Sequence, residues 1–342
     1  MSILEGEGKT PEAIKMLKEI LDSTAKRNYN PAERANRVNL VERLGVLYRS
    51  SEKTSEAVAA FKQVGELDPD LAPRGAAQVI ETLRLGKEFT KAEQEAETAF
   101  SKFPTDRMIT LVRSSVLADL GKYDQAIAPV RKLLSGKDDR DTHITLAQLY
   151  EKAKRYEDMG KSLAEADKLS TSKEDKVNTA FMRGAMYEKQ KKFELAEAEF
   201  RKVLGDDPDN ISALNYLGYM LADRNTRLQE AYEMVKKAVD KDPNNGAYLD
   251  SLGWVYYRLN KFEEAEKYLR QAVERVTRDA TVHDHLGDVF SKRNNFKDAI
   301  RHWELALREW ETGAPSDRDA NEYGKVQKKL ESAKAKISKT GH

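Results

Sequence analysis

Residues 249–276 read LDSLGWVYYRLNKFEEAEKYLRQAVERV, and this stretch decides the fold. Gly253 and Tyr256 share one face at helical spacing, and Ala265 and Ala272 share another after a polar break. The pattern predicts two amphipathic helices joined by a short turn. A glycine inside a helix costs about 1 kcal/mol relative to alanine. Gly253 therefore predicts that the second helix approaches closely at that point.

The same pattern recurs along the chain at intervals of 34 or 35 residues. The glycine returns at Gly184, Gly218 and Gly287, and an alanine follows about twelve residues after each one. The frame extends back to Gly45, which gives eight full units. The second half of a ninth unit covers Gly8 to Leu21. One hairpin cannot bury its apolar face alone, so the units are expected to stack side by side.

The amino-acid composition argues against several classes of function. The 342 residues contain 59 Lys and Arg against 58 Asp and Glu, and this balance disfavours nucleic acid as the main partner. There is no cysteine, which excludes disulfides, cysteine-bound zinc and thiol catalysis. No apolar run approaches the ~18 residues that a membrane-spanning helix requires.

The repeat pattern resembles the tetratricopeptide repeat (TPR) over roughly residues 1–311, most specifically over 177–311. The resemblance implies an all-α TPR solenoid, a right-handed superhelix of helix–turn–helix repeats with a C-terminal capping helix. It also implies a non-catalytic scaffold or adaptor that binds proteins. The expected layout begins with a partial repeat, its second helix only, and a connection at 1–37. Four repeats follow at 38–170, of which the last two are irregular, and then a connection or possible joint at 171–176. Four more repeats cover 177–313, and a capping helix and tail cover 314–342.

Several places depart from the regular pattern. The first repeat lacks its first helix, so we expect a fragment or an unusual start, from which a signal peptide or lipid anchor could have been removed. Pro129 is expected to kink or break its helix. The polar segment 170–176 is either sequence drift or a flexible joint. Asn30-Pro31 is typical of a helix start, with a cap followed by proline.

Motifs for chemistry are weak. Gly6 to Thr10 looks like the end of a phosphate-binding loop, but the required earlier glycine and strand are missing. His283 and His285 are two residues apart, so their rings should diverge on a helix, and His302 is expected to approach His283. We therefore predict no catalytic residue, no metal site and no cofactor.

The expected binding site is the concave groove that TPR first helices line, by resemblance to the family. Groove positions lie three before, one after and four after the glycine column. In the C-terminal half they are Phe181, Asn215, Tyr219, Asp250, Trp254, Tyr257, Asp284 and Asp288. Aromatic anchors carry much of the energy of such interfaces, and the acidic end should favour a ligand with Lys or Arg. The alternative is that Trp254 and Tyr257 pack against the next repeat.

A narrower resemblance covers about 211–311. It includes NYLGYMLADR at 215–224, LDSLGW at 249–254 and HDHLGD at 283–288. These stretches look like a bacterial TPR subfamily that includes outer-membrane lipoproteins, adaptors that recruit a carboxyl-terminal processing protease to its substrates. The resemblance implies such a protease or its substrates as partner, and a periplasmic or outer-membrane-anchored location, with the cytoplasm as the alternative. Two other functions stay open: a self-assembling structural solenoid, and the TPR part of a longer enzyme.

Overall fold

The structure is a computed structural model that describes residues 9–340; Gly6 and Gly8 lie outside the described residues. Within that range there are eighteen α-helices, two short 3-10 helices and no strand. The α-helices in chain order are α1 (Thr10–Ser23), α2 (Pro31–Ser50), α3 (Thr54–Leu67), α4 (Ala72–Leu85), α5 (Phe89–Lys102), α6 (Arg107–Asp119), α7 (Tyr123–Arg131), α8 (Arg140–Lys152), α9 (Tyr156–Leu169), α10 (Lys173–Lys189), α11 (Phe193–Asp206), α12 (Ile211–Asp223), α13 (Leu228–Lys241), α14 (Gly246–Arg258), α15 (Phe262–Arg275), α16 (Ala280–Lys292), α17 (Phe296–Thr312) and α18 (Ala320–Thr340).

Helices α2 to α17 form eight consecutive hairpins, and α18 packs on α17. The predicted all-α solenoid of helical hairpins is confirmed. The turn inside each hairpin is short because its chain reverses through a left-handed residue, such as Asn225, Asn260 or Asn294, with φ between 55° and 60°. The next backbone N–H then bonds to a carbonyl one turn inside the first helix, as Lys261 does to Tyr256 at 2.9 Å. This arrangement satisfies carbonyl groups that the helix end leaves free.

The glycine column lies where the two helices of a hairpin meet. A Cβ atom at Gly253 would stand 2.6 Å from Leu269 Cγ, and one at Gly218 would stand 2.5 Å from Val235 Cγ2. Gly45 faces Phe61 in the same way, at 2.7 Å. The prediction that the glycines permit close helix approach is confirmed. The side chain that fills the space is the large residue four positions after the column alanine.

The described chain divides into two compact units between Ser135 and Gly136. The division follows α7, which has nine residues where the second helices of the flanking hairpins have fourteen. Pro129 lies in its last turn and cannot donate a backbone hydrogen bond. The helix continues through Pro129 and ends two residues later at Arg131, so a kink or break at the proline stays a prediction. The first unit contains α1 to α7, and the second unit contains α8 to α18.

The predicted domain boundaries stay predictions, but the structure locates their residues. Asn30 caps α2 with a capping box and Pro31 is its first residue, so this helix begins before residue 38. The segment 171–176 lies inside the second unit, where Ser172 caps α10 in a capping box. Arg140 of α8 contacts both sides of this connection, at the Ser170 hydroxyl and the Asp175 carboxylate.

Hydropathy along the helices is low. Among residues 9–340, no helix combines the length and the apolar character that crossing a lipid bilayer requires.

We predict that Gly218→Ala destabilises the second unit by about 1–3 kcal/mol, because the new methyl group would overlap Val235 and the Ala231 carbonyl. Gly205→Ala in α11 is the matched control, since no atom lies within 4 Å of its added Cβ. That variant should be neutral or slightly more stable. Guanidinium unfolding followed by circular dichroism compares the two. Equal midpoints for both variants would contradict the close approach at Gly218.

Candidate functional site

The predicted groove residues lie on the first helices α10, α12, α14 and α16 of the second unit. Three of them, Asn215, Asp250 and Trp254, are less than a tenth exposed. The other five are partly buried. Their role in partner binding stays a prediction, and their contacts within the chain show how much of each side chain is free.

Trp254 is 7% exposed and lies between two rings. It stacks on Tyr257 of its own helix, with centroids 4.7 Å apart, and on His285 of α16 at 4.1 Å. Its indole N–H donates to Asp223 Oδ1 at 3.2 Å. Both faces and the polar edge of this ring are used inside the chain. Trp254 therefore makes the inter-repeat contacts that the sequence analysis gave as the alternative, and its role in partner binding stays a prediction.

Asp250 and His285 form a buried hydrogen-bonded pair that joins α14 to α16. His285 Nδ1 lies 2.9 Å from Asp250 Oδ1 and 3.1 Å from Oδ2. Burial acts to lower the pKa of His285, but the charge of Asp250 and its hydrogen bond outweigh this, so the pKa of His285 is raised. A buried pair of this kind fixes geometry, because removing one partner leaves the other without its hydrogen bond.

The acidic end of the groove is filled by the chain itself. Lys329 of α18 places its Nζ 2.8 Å from Asp284 Oδ1 and 2.8 Å from Asp288 Oδ2. Burial and the nearby Asp284 charge raise the pKa of Asp288, and Lys329 acts in the opposite direction. In the free chain, Lys329 supplies the positive charge that this end of the groove is predicted to favour.

An aromatic cluster lies between α10, α11 and α12. Phe181 meets Phe200 at 5.6 Å and Tyr216 at 5.1 Å, both edge to face. Tyr216 is 39% exposed, the most open aromatic residue near the predicted groove residues. Sequence reasoning missed Tyr216 because it stands two residues before Gly218, between two groove positions. Its large ring next to Asn215 was the available signal.

Asn215 carries a buried acceptor without a partner. The residue is 9% exposed, and its Oδ1 has no hydrogen-bond partner. A buried carboxamide oxygen without a partner costs about 1–3 kcal/mol. Such a group is an available acceptor for a ligand donor.

Acidic side chains border this region. Burial raises the pKa of Glu188 in α10, and the charges of Asp223 and Glu151 add to the effect while Lys189 opposes it. Burial also raises the pKa of Tyr219 well above its ordinary value, with Asp223 and Asp250 contributing. The first-helix face of the second unit therefore combines aromatic surface, one free amide acceptor and closely spaced carboxylates.

The two histidines of the 283–288 motif diverge as predicted. His283 turns away from His285 and meets His302 of α17, with the two Nδ1 atoms 3.0 Å apart. The other nitrogen of His283 lies 3.3 Å from the Thr277 carbonyl, so it donates there. His302 Nδ1–H then donates to His283 Nδ1. Within residues 9–340, no group of three or more metal-ligating side chains occurs.

Models of the tetratricopeptide repeat family match several stretches of the chain. One matches residues 209–278, a second matches 251–314, and a third matches 40–71 and 177–210. These stretches are tetratricopeptide repeats. They correspond to α2–α3 and to the hairpins from α10 to α17.

Among curated proteins, the chain is similar to the TPR repeat-containing protein PA4667 of Pseudomonas aeruginosa, strain PAO1. They are 35% identical over 153 residues, which is 44% of this chain and 25% of that protein. The match therefore spans about a quarter of the relative's length.

Two solved structures show the same fold. Yeast Tom70 has a TM-score of 0.61 at 15% identity, over 98% of this chain and 74% of that one. The Cut9 and Hcn1 hetero-tetramer of the APC/C has a TM-score of 0.54 at 17% identity, over 94% of this chain and 59% of that one. Identities this low establish the solenoid fold alone.

We predict that acidification destabilises the second unit through the His283–His302 pair. Burial lowers the pKa of His302 to about 4, and burial also lowers the pKa of His283. The unfolded chain takes up these protons near pH 6.5 and the folded chain does not, so stability falls from pH 6.5 towards pH 4. His302→Gln should reduce the loss between pH 7 and pH 5 by about 1 kcal/mol, after discounting for partial exposure.

Guanidinium unfolding at pH 7 and pH 5 measures this difference. His143→Gln is the control, because His143 lies in α8, outside the pair. If His302→Gln and wild type lose equal stability over this range, the pair does not titrate as described.

Proposed function

We propose that this chain is a non-catalytic adaptor that binds a segment of a partner protein along the first-helix face of its second unit. The tetratricopeptide repeats and the fold support a protein-interaction scaffold in general. The observation that carries the site is the unpartnered Asn215 Oδ1 next to the exposed Tyr216 ring.

The chemistry of this face favours an extended polypeptide. The Asn215 carboxamide can accept a backbone N–H and donate to a backbone carbonyl, which pairs a polypeptide without selecting its side chains. Tyr216 and Phe181 offer apolar surface for one side chain of the partner. Glu188 and Asp223 favour a positively charged side chain beside it. The partner is expected to place a Lys or Arg stem over Tyr216.

The narrower resemblance of residues 211–311 supports a finer proposal. The chain would act as a bacterial adaptor that recruits a carboxyl-terminal processing protease to its substrates, in the periplasm or at the outer membrane. The similarity to the Pseudomonas protein is in accord with a bacterial origin of this repeat type, and its name specifies the repeats only. The protease, its substrates and the compartment are therefore parts of the proposal.

We predict that Asn215→Ala reduces partner binding while leaving the fold intact or slightly stabilised. The substitution removes a buried oxygen that has no partner in the free chain, so folding loses no hydrogen bond at that atom. Trp254 is unsuitable for this test, because truncating it would remove two ring stacks. Affinity capture from a bacterial envelope extract, read by mass spectrometry, compares the Asn215→Ala bait with wild type.

Lys202→Ala on the exposed side of α11 is the matched control, since it changes a surface residue outside the first helices. A protein held by wild type and Lys202→Ala, and lost at least fivefold with Asn215→Ala, supports the site. A carboxyl-terminal processing protease among those proteins supports the finer proposal. Identical captures with all three baits would contradict binding at Asn215. Capture of only the chain itself would favour self-assembly.

A further inference from the structure

The C-terminal helix α18 makes a contact that a simple end cap does not need. Lys329 reaches two predicted groove residues, Asp284 and Asp288, on the first-helix face of α16. The ammonium group contacts three carboxylate oxygens at 2.8 to 3.0 Å. A lysine supplied by the chain therefore occupies the place where a cationic ligand was expected.

A cation stabilises this acidic pair. Asp284 and Asp288 are one helical turn apart and both side chains are 14% exposed. Two nearby carboxylates in partly desolvated surroundings repel each other, and a positive charge between them relieves the repulsion. Departure of Lys329 would leave the pair uncompensated unless another cation replaced it.

The helix α18 buries few apolar side chains and is also held by polar and ring contacts, such as Lys334 with Glu304 and Tyr323 with Trp310. Among its described side chains Val326 and Ala333 are buried, compared with three buried residues in α17. Gly324 weakens the helix, and no atom lies within 4 Å of where its Cβ would be, so packing does not explain it. Helices with few buried apolar contacts open below the free energy of global unfolding.

Surface ion pairs hold the segment before α18 against the end of α8. Lys152 Nζ at the end of α8 lies 3.3 Å from Asp317 Oδ1 and 3.5 Å from the Ser316 hydroxyl. Lys154 Nζ lies 3.9 Å from Asp319 Oδ2. The segment thus joins the first hairpin of the second unit to its last helix. Exposed pairs of this kind contribute little and weaken with salt.

We propose that α18 is an internal ligand of the groove, which a lysine-bearing segment of the partner must displace to reach Asp284 and Asp288. This inference rests on the proposed function and adds the chemistry of the partner and the step that admits it. The free chain stays closed because α18 is tethered and so has a high effective concentration at the site. A partner succeeds when its other contacts, at Asn215 and Tyr216, outweigh that advantage.

A synthetic peptide of residues 318–340, labelled with fluorescein, tests whether the site accepts this helix from outside. Full-length wild type should bind it weakly, since its own α18 fills the site. Full-length Lys329→Gln should bind it at least tenfold more tightly. Lys328→Gln is the matched control, because it makes the same charge change at the exposed neighbouring residue and should behave like wild type. A labelled peptide carrying Lys329→Gln should not bind any of the chains.

Hydrogen exchange on the same full-length proteins reports release of the helix directly. Amides of 320–340 should exchange at least tenfold faster in Lys329→Gln than in Lys328→Gln, while α14 and α16 keep their protection. In the capture experiment, Lys329→Gln should retain more of the Asn215-dependent partner than Lys328→Gln does.

Equal peptide affinity in all three chains would overturn the inference, as would unchanged partner capture after α18 has been shown to open. These results differ from a failure of the proposed function, in which Asn215→Ala leaves the capture unchanged. In that case the peptide assay alone decides whether α18 is a displaceable ligand, because it needs no partner.

Discussion

The close approach of two helices at a glycine is the contact on which the packing of five of the eight repeats depends. At Gly253 the backbone of α14 lies against Leu269 of α15, and the same contact is made at Gly218 and Gly45. A side chain at that position would separate the helices. The separation would in turn shift the turn, the next hairpin and the first-helix face. At each site the glycine lowers the stability of its helix, and stacking of the repeats offsets that cost.

The fold could be read from the sequence because its signals are local and repeated. The glycine column, the alanine column and the large residue after it all lie within one 34-residue unit, so each unit repeats the evidence for the others. The helix start at Asn30-Pro31 and the effect of Pro129 on its helix could also be predicted, because proline acts on its own helix. The division after Ser135 was not predicted, although an effect of Pro129 on α7 was, because the division depends on more than one helix.

The candidate site was harder to predict for a physical reason. Helical spacing assigned eight residues to the groove, but it cannot tell whether a ring faces solvent or the next repeat. Trp254 and Asp250 contact α16 through His285, which lies 35 residues after Asp250 in the sequence and off the groove positions. Tyr216 lies off those positions too, and its ring is exposed. Exposure depends on contacts between repeats, which the period of a single helix does not encode.

Charge explains why the groove of the second unit cannot be treated as an empty surface. Asp250 is paired with His285, and Asp284 and Asp288 are paired with Lys329, so the chain neutralises most carboxylates that helical spacing assigns to this face. The two pairings differ in how readily they can be broken. His285 is held by the repeat stack and can leave only if the hairpins separate. Lys329 belongs to the last helix, α18, which buries two side chains, and we propose that its charge can be withdrawn without disturbing the repeats. Under our proposal, a partner that carries lysine meets one acidic site that stays closed and one at which Lys329 can be exchanged, and its selectivity arises at Asp284 and Asp288.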